Sequence, residues 1–126
     1  AEIQRERPGL PIIYMSGYAE SILAARSALP DDPVIHRAVL AYLSDMQLLG
    51  TSIMPHGLSW MRGEVKSASL DHAIWFHAPF RADDWLLYHC ESPWSGGSRG
   101  FNVGQIFQDG RLVASVAQEG MVRVPQ

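Results

Sequence analysis

Residues 32–50 read DPVIHRAVLAYLSDMQLLG, and their spacing decides the first element of the fold. Asp32 suits a helix N-cap, Pro33 the first helical position and Gly50 the stop. Between them Ile35, Ala38, Val39, Tyr42, Met46 and Leu49 recur at helical spacing, which predicts one apolar stripe facing a core. Arg37 and Ser44 are expected on the opposite side. At about 1.5 Å per residue the helix is roughly 25 Å long, enough to lie across a sheet. Asp45 falls at the edge of the stripe, beside Ala38, Ala41 and Leu49. A carboxylate there is costly unless it is solvated, paired or protonated. It is therefore structurally paired, simply exposed, or a functional group.

Everything after the helix reads as antiparallel strand, approximately over 58–62, 67–77, 85–92, 99–108 and 111–124. Asp109-Gly110 between the last two is a two-residue hairpin signal. One long helix with five or six strands and no βαβ alternation predicts an α+β fold, a central helix wrapped by an antiparallel sheet. Ahead of the helix, residues 1–19 read as an N-terminal extension: a polar start, then PGLPIIYMSGYAE with a short apolar strand. A second short strand is expected near 21–28. The single domain is assigned to 20–126.

Composition bounds the function. A chain of 126 residues suits one domain. With 47% hydrophobic and 18% charged residues it is globular rather than disordered. A net charge of −3, without any Lys/Arg cluster, argues against nucleic acid as a partner. Cys90 is the one cysteine, which leaves neither an internal disulfide nor a Cys-based zinc site. The apolar runs fall short of a membrane span and no signal-peptide pattern opens the chain, so the cytoplasm is the expected compartment.

The stretch SASLDHAIWFHAPFRADDWLLYHCES, residues 67–92, places a Ser, an Asp and three His among aromatics. Strand alternation puts Ser69, Asp71, Ala73, Trp75 and His77 on one face, and Leu70, His72, Ile74 and Phe76 on the other. Asp71 and His72 then point apart, which disfavours a nucleophile–base–acid relay along this strand. If Ser69 works chemically, its partners come from elsewhere. Gln118 is a second uneasy residue, an amide on the same face as Leu112, Ala114 and Val116, where it needs a partner or a role.

Other motifs carry less. Gly96-Gly97-Ser98-Arg99-Gly100 matches G-x-S-x-G, but a nucleophile elbow needs a strand turning into a helix. Here strand and hairpin follow, so a Gly/Ser turn is expected. The five His, at 36, 56, 72, 77 and 89, show no metal-ligand spacing. No phosphate-binding glycine loop precedes a helix, and no cofactor is expected.

Three well-separated stretches carry a resemblance: LPDDPVIHRAVLAYLSDMQLLGTSIMPHG, SLDHAIWFHAPFRADDWLLYHCES and RGFNVGQIFQDGRLVASVAQEGMVR. Over roughly 24–123 the sequence resembles the acyl-CoA thioesterase II family, in particular the second of the two hotdog domains such chains carry in tandem. The resemblance implies a hotdog fold, a long helix wrapped in antiparallel sheet. It also implies a site in which an Asp, a Thr or Ser and a Gln hold and polarise a hydrolytic water. The Asp of Tyr-x-Ser-Asp matches Asp45, the hydroxyl residue two positions before Asp-His matches Ser69, and the Gln of Gln-Glu-Gly matches Gln118. These are the same polar residues that sat uneasily in the pattern. Residues 6–20, ERPGLPIIYMSGYAE, are separately similar to the late strand and turn of a receiver domain, without its phospho-accepting Asp.

The expected activity is hydrolysis of acyl-CoA to a fatty acid and CoA, with Asp45 as general base and Ser69 and Gln118 orienting the water or the carbonyl. Asp71 and His72 are expected in support. A carboxylesterase acting on short acyl esters and a non-catalytic acyl-CoA-binding module are the alternatives. The resemblance covers one hotdog of the usual two, so the expected assembly is a homodimer or a higher homo-oligomer built on one.

Overall fold

The computed structural model describes residues 29–59 and 62–125. Helix α1 spans Pro33–Leu48 and starts where the sequence says, with the Asp32 carboxylate accepting from the Val34 amide over 2.9 Å. Its end differs from expectation. Rather than stopping at Gly50, the chain tightens into a 3₁₀ turn, Leu49–Ser52, and a second one, Met54–His56, which Gly57 closes at φ 65°. Only a residue tolerant of the left-handed region ends such a turn without strain.

The strands are β1 (Lys66–Ser69), β2 (Ala73–Phe76), β3 (Leu87–Gly96), β4 (Arg99–Gln108) and β5 (Arg111–Arg123). All pairings are antiparallel; β1 and β2 lie in succession along one side of β5, followed by β4 and then β3. The two long hairpins close on two-residue turns, Gly97-Ser98 and Asp109-Gly110, with all four residues at positive φ. That is the geometry whose twist suits flanking strands. The G-x-S-x-G match is thus a hairpin, and Ser98 sits exposed at its tip. The strand expected over 58–62 is not formed at 58, 59 or 62. The strands expected near 8–20 and 21–28 lie outside the described residues.

Helix α1 buries His36, Leu40, Ser44 and Leu48 against the sheet. This corrects the predicted stripe: Tyr42 is 62% and Met46 48% exposed, whereas Ser44, expected outside, is fully buried. Apolar residues occur nearly all round this helix, so periodicity alone could not choose the inward face. Polar groups in the buried line have partners that sequence does not reveal. The Ser44 hydroxyl donates to the Ala41 carbonyl, and His36 Nδ1 accepts from the Ala82 amide.

Below the helix, Leu40 and Leu48 pack with Tyr88, Ile106, Val113, Ala114 and Val116. Each fully buried aliphatic side chain contributes about 1.5–3 kcal/mol. A bulge at Val113, where Ile106 faces Ala114 but Phe107 faces Leu112, lets Val113 and Ala114 both enter this core. It also turns Leu112 out of the set it was expected to share with Ala114, Val116 and Gln118. Two inward glycines, Gly104 and Gly120, leave room for side chains packed over the sheet. A Cβ added at Gly120 would collide with Leu49, and one at Gly104 with Tyr88 and Val116.

A polar staple fixes the segment before the helix. Arg81 pairs with Asp31 and Asp83, and it donates to the Leu29 carbonyl while Asp83 accepts from the Leu29 amide. The Gln108 amide bonds both backbone groups of Arg81. Arg81 holds the Asp83 carboxyl at about 2, below its ordinary 3.8.

Candidate active site

The expected strand over 67–77 breaks, and the break builds the site. Ser69 pairs with Gly120 and Ala73 with Ala117, so four steps along this side match three along β5. The extra residue is a bulge, and the amides of Leu70 and Asp71 both reach the Glu119 carbonyl. Asp71 Oδ1 accepts from the Glu119 amide over 2.7 Å and pins the bulge from outside. Side-chain parity flips across it. Ser69 and His72, expected on opposite faces, both turn toward α1, while Asp71 stays outside.

Asp45 lies on the flank of α1, between the buried line through Leu40, Ser44 and Leu48 and the exposed line through Val34, Ala38, Tyr42 and Met46. Its side chain is 45% exposed. Ser69 Oγ donates to Asp45 Oδ1 over 3.0 Å. Gln118, on β5 and 0% exposed, donates through Nε2 to the same oxygen and, over 3.2 Å, to Ser69 Oγ. The three residues singled out from the sequence therefore meet, one from the helix and two from separate strands. Both donors converge on Oδ1, which leaves Oδ2 for a further partner.

His72 joins them and was not singled out as more than support. Its Nε2 lies 2.9 Å from Ser44 Oγ and its Nδ1 lies 3.3 Å from Gln118 Nε2. Because Ser44 donates to Ala41, its oxygen accepts from His72 Nε2–H, and this assigns the bare lone pair to Nδ1. Gln118 Nε2 thus faces three acceptors: Asp45, Ser69 and His72. The Ser44 carbonyl accepts from the Tyr88 hydroxyl over 3.0 Å. The turn of helix that carries Asp45 is held from beneath by this bond.

Other reactive groups are placed unfavourably. Burial pushes the Cys90 thiol up to about 11, so the nucleophilic thiolate is suppressed. His77 is spent on Ser115, and His89 lies beside Glu91 on the outer face of the sheet. Among the described residues no three His, Cys, Asp or Glu side chains gather to hold a metal ion. No described helix is long and apolar enough to cross a membrane.

Comparison with known proteins gives the family and the fold of the chain. A family model described as acyl-CoA thioesterase matches residues 13–121. The acyl-coenzyme A thioesterase 8 of Homo sapiens is 53% identical over 94 residues, which are 74% of this chain and 29% of that protein. The solved acyl-CoA thioesterase II TesB2 of Mycobacterium marinum superposes with a TM-score of 0.72 at 51% identity, over 80% of this chain and 39% of that one. A hot-dog-like protein of Thermanaerovibrio acidaminovorans, 20% identical, matches 79% of this chain and 77% of its own with a TM-score of 0.56. That likeness concerns the fold alone, which is a hotdog. The chain spans about 29% of the length of the human relative it matches.

Proposed function

The chain belongs to the acyl-CoA thioesterase family, and we propose that it hydrolyses acyl-CoA to a fatty acid and free CoA with a water activated by Asp45. The observation that carries this reading is the convergence of Ser69 Oγ and Gln118 Nε2 on one oxygen of Asp45. Two donors on Oδ1 fix the plane of the carboxylate and leave Oδ2 to accept a proton from water. The water oxygen bonds to the thioester carbon, the carbon–sulfur bond breaks, and the proton passes to the departing sulfur. A thioester is electrophilic enough for this direct attack, so no covalent intermediate on the protein is needed. The hairpin position of Ser98 and the suppressed Cys90 thiolate both argue against one.

Exposed apolar side chains flank the carboxylate: Tyr42 three residues before it, Met46 directly after it, and Leu70 next to Ser69. They supply apolar surface for the acyl chain. The line Val34, Ala38, Tyr42 and Met46 also favours a second hotdog unit packed on this side of α1. We propose a homodimer, or a multiple of one, with the partner forming the far wall of the pocket. The free Cys90 suits a reducing compartment, the cytoplasm.

Release of CoA thiol from an acyl-CoA series tests the reading. Turnover that exceeds hydrolysis of matched oxygen esters is expected. Binding of acyl-CoA without release would leave only a binding module, and faster oxygen-ester hydrolysis would make the chain a carboxylesterase.

A further inference from the structure

Gln118 is paired directly across the sheet with Asn102 of β4. Both side chains lie on the helix side and both are 0% exposed. Gln118 spends Nε2 on Asp45, Ser69 and His72, and its Oε1 is buried with no hydrogen-bond donor among the described residues. Asn102 is in the same position twice over, since neither Nδ2 nor Oδ1 has a partner among them. Buried amides are rarely left so. Here the two deficits are complementary: an acceptor without a donor stands opposite a donor without an acceptor. Side chains directly opposite on neighbouring strands have Cβ atoms about 5 Å apart, close enough for one enclosed water to bridge their polar ends.

We propose that Asn102 is a positioning residue for the reaction: its Nδ2–H donates to Gln118 Oε1 through one enclosed water and fixes which end of the Gln118 amide faces Asp45. This rests on the reading of Gln118 as a site residue. While Asp45 is a carboxylate, it favours Nε2 toward itself unaided. Once it has taken the proton from water that preference weakens, and a half-turn of the amide would present Oε1 instead. An anchor on Oε1 resists the turn when the reaction needs the donor most. The effect therefore belongs to turnover more than to substrate binding.

The fixed environment of Asn102 fits this role. Gly100 and Gly104 flank it along β4, and a Cβ at either would collide with Ser52 or Tyr88. On the β3 side the register slips between Glu91 and Trp94, opposite Asn102. Neither strand neighbour on β4 offers it a side chain to bond, and Gln118 is its cross-strand companion.

The test is a double-mutant cycle on CoA release by the full chain. Asn102→Leu is expected to lower kcat on the order of tenfold or more, with KM changed less than about threefold. In a Gln118→Ala background the same change is expected to cost less than about twofold. Asn102→Ser, which keeps a hydroxyl donor, is expected to recover part of the loss. Equal losses in both backgrounds, or an unaltered kcat, would overturn the proposal. A second arm needs no turnover: solvent exchange of the Gln118 side-chain amide, read by NMR after ¹⁵N-glutamine labelling, is expected to quicken about tenfold or more in Asn102→Leu. Should that variant fail to fold, Asn102→Ala is read in its place by both arms. Unchanged exchange overturns the proposal. A wild type that releases no CoA instead overturns the proposed function and leaves the exchange arm to decide on Asn102.

Discussion

The Ser69 hydroxyl donates to Asp45 Oδ1 over 3.0 Å, joining residues 24 apart in sequence and on different elements. The bond exists because a bulge after Ser69 turns it toward the helix, while Asp45 stands on the helix flank rather than at its centre. Gln118 closes the group from below. A carboxylate held by two donors on one oxygen, yet open on its other side, is suited to receive a proton from a bound water.

Removing either neutral donor should slow turnover. Ser69→Ala and Gln118→Ala are each expected to lower kcat by about a hundredfold or more, with smaller changes in KM. Ser98→Ala, altered at an exposed hairpin tip, should match wild type. Steady-state CoA release decides this; loss of activity in Ser98→Ala alone would replace the water mechanism with a covalent one.

Acid should weaken the Arg81 staple in a defined window. Hydrogen bonds from Arg81 lower the Asp83 carboxyl from 3.8 to about 2. A group whose pKa is depressed on folding adds stability above its unfolded value, and that stability is lost as pH falls through the folded one. Asp83→Asn should therefore melt below wild type at pH 6, with the gap closing between about pH 4 and 2. Calorimetry across that range checks it, and a gap independent of pH would contradict the assignment.

The exposed line on α1 should mediate self-association. Light scattering at micromolar concentration is expected to give a dimer or a multiple of it. Tyr42→Glu, which places a charge on a 62% exposed apolar position, should shift it toward monomer. A fully active wild-type monomer at every dilution contradicts this pairing.

Much of this was legible in the sequence, and the failures have physical causes. The Asp32-Pro33 start of the helix, the Asp109-Gly110 hairpin and strand β4 follow local backbone chemistry, which nearby residues dictate. Asp45 and Gln118 stood out because each breaks an apolar pattern, while Ser69 drew its weight from the family motifs that tied the three together. The inward face of α1 was not legible, because Tyr42 and Met46 offer apolar surface as good as that of Leu40 and Leu48. The bulge at residues 70–72 was hidden too, since pairing with β5 sets it and no local residue announces it. Ser69 was consequently grouped with the outward-facing Asp71 and Trp75, whereas His72 does share the inward face of Ile74 and Phe76. Asn102 had a usable signal: it is a polar residue in register with Gly100, Gly104 and Ile106, the inward positions of β4.

The central claim is that Asp45 is the general base for thioester hydrolysis, and Asp45→Asn tests it most directly. The amide keeps an acceptor oxygen for Ser69 but cannot take a proton from water. CoA release should fall by about a hundredfold or more, while far-ultraviolet circular dichroism and melting stay close to wild type. A folded Asp45→Asn protein that still releases CoA at the wild-type rate would contradict the account.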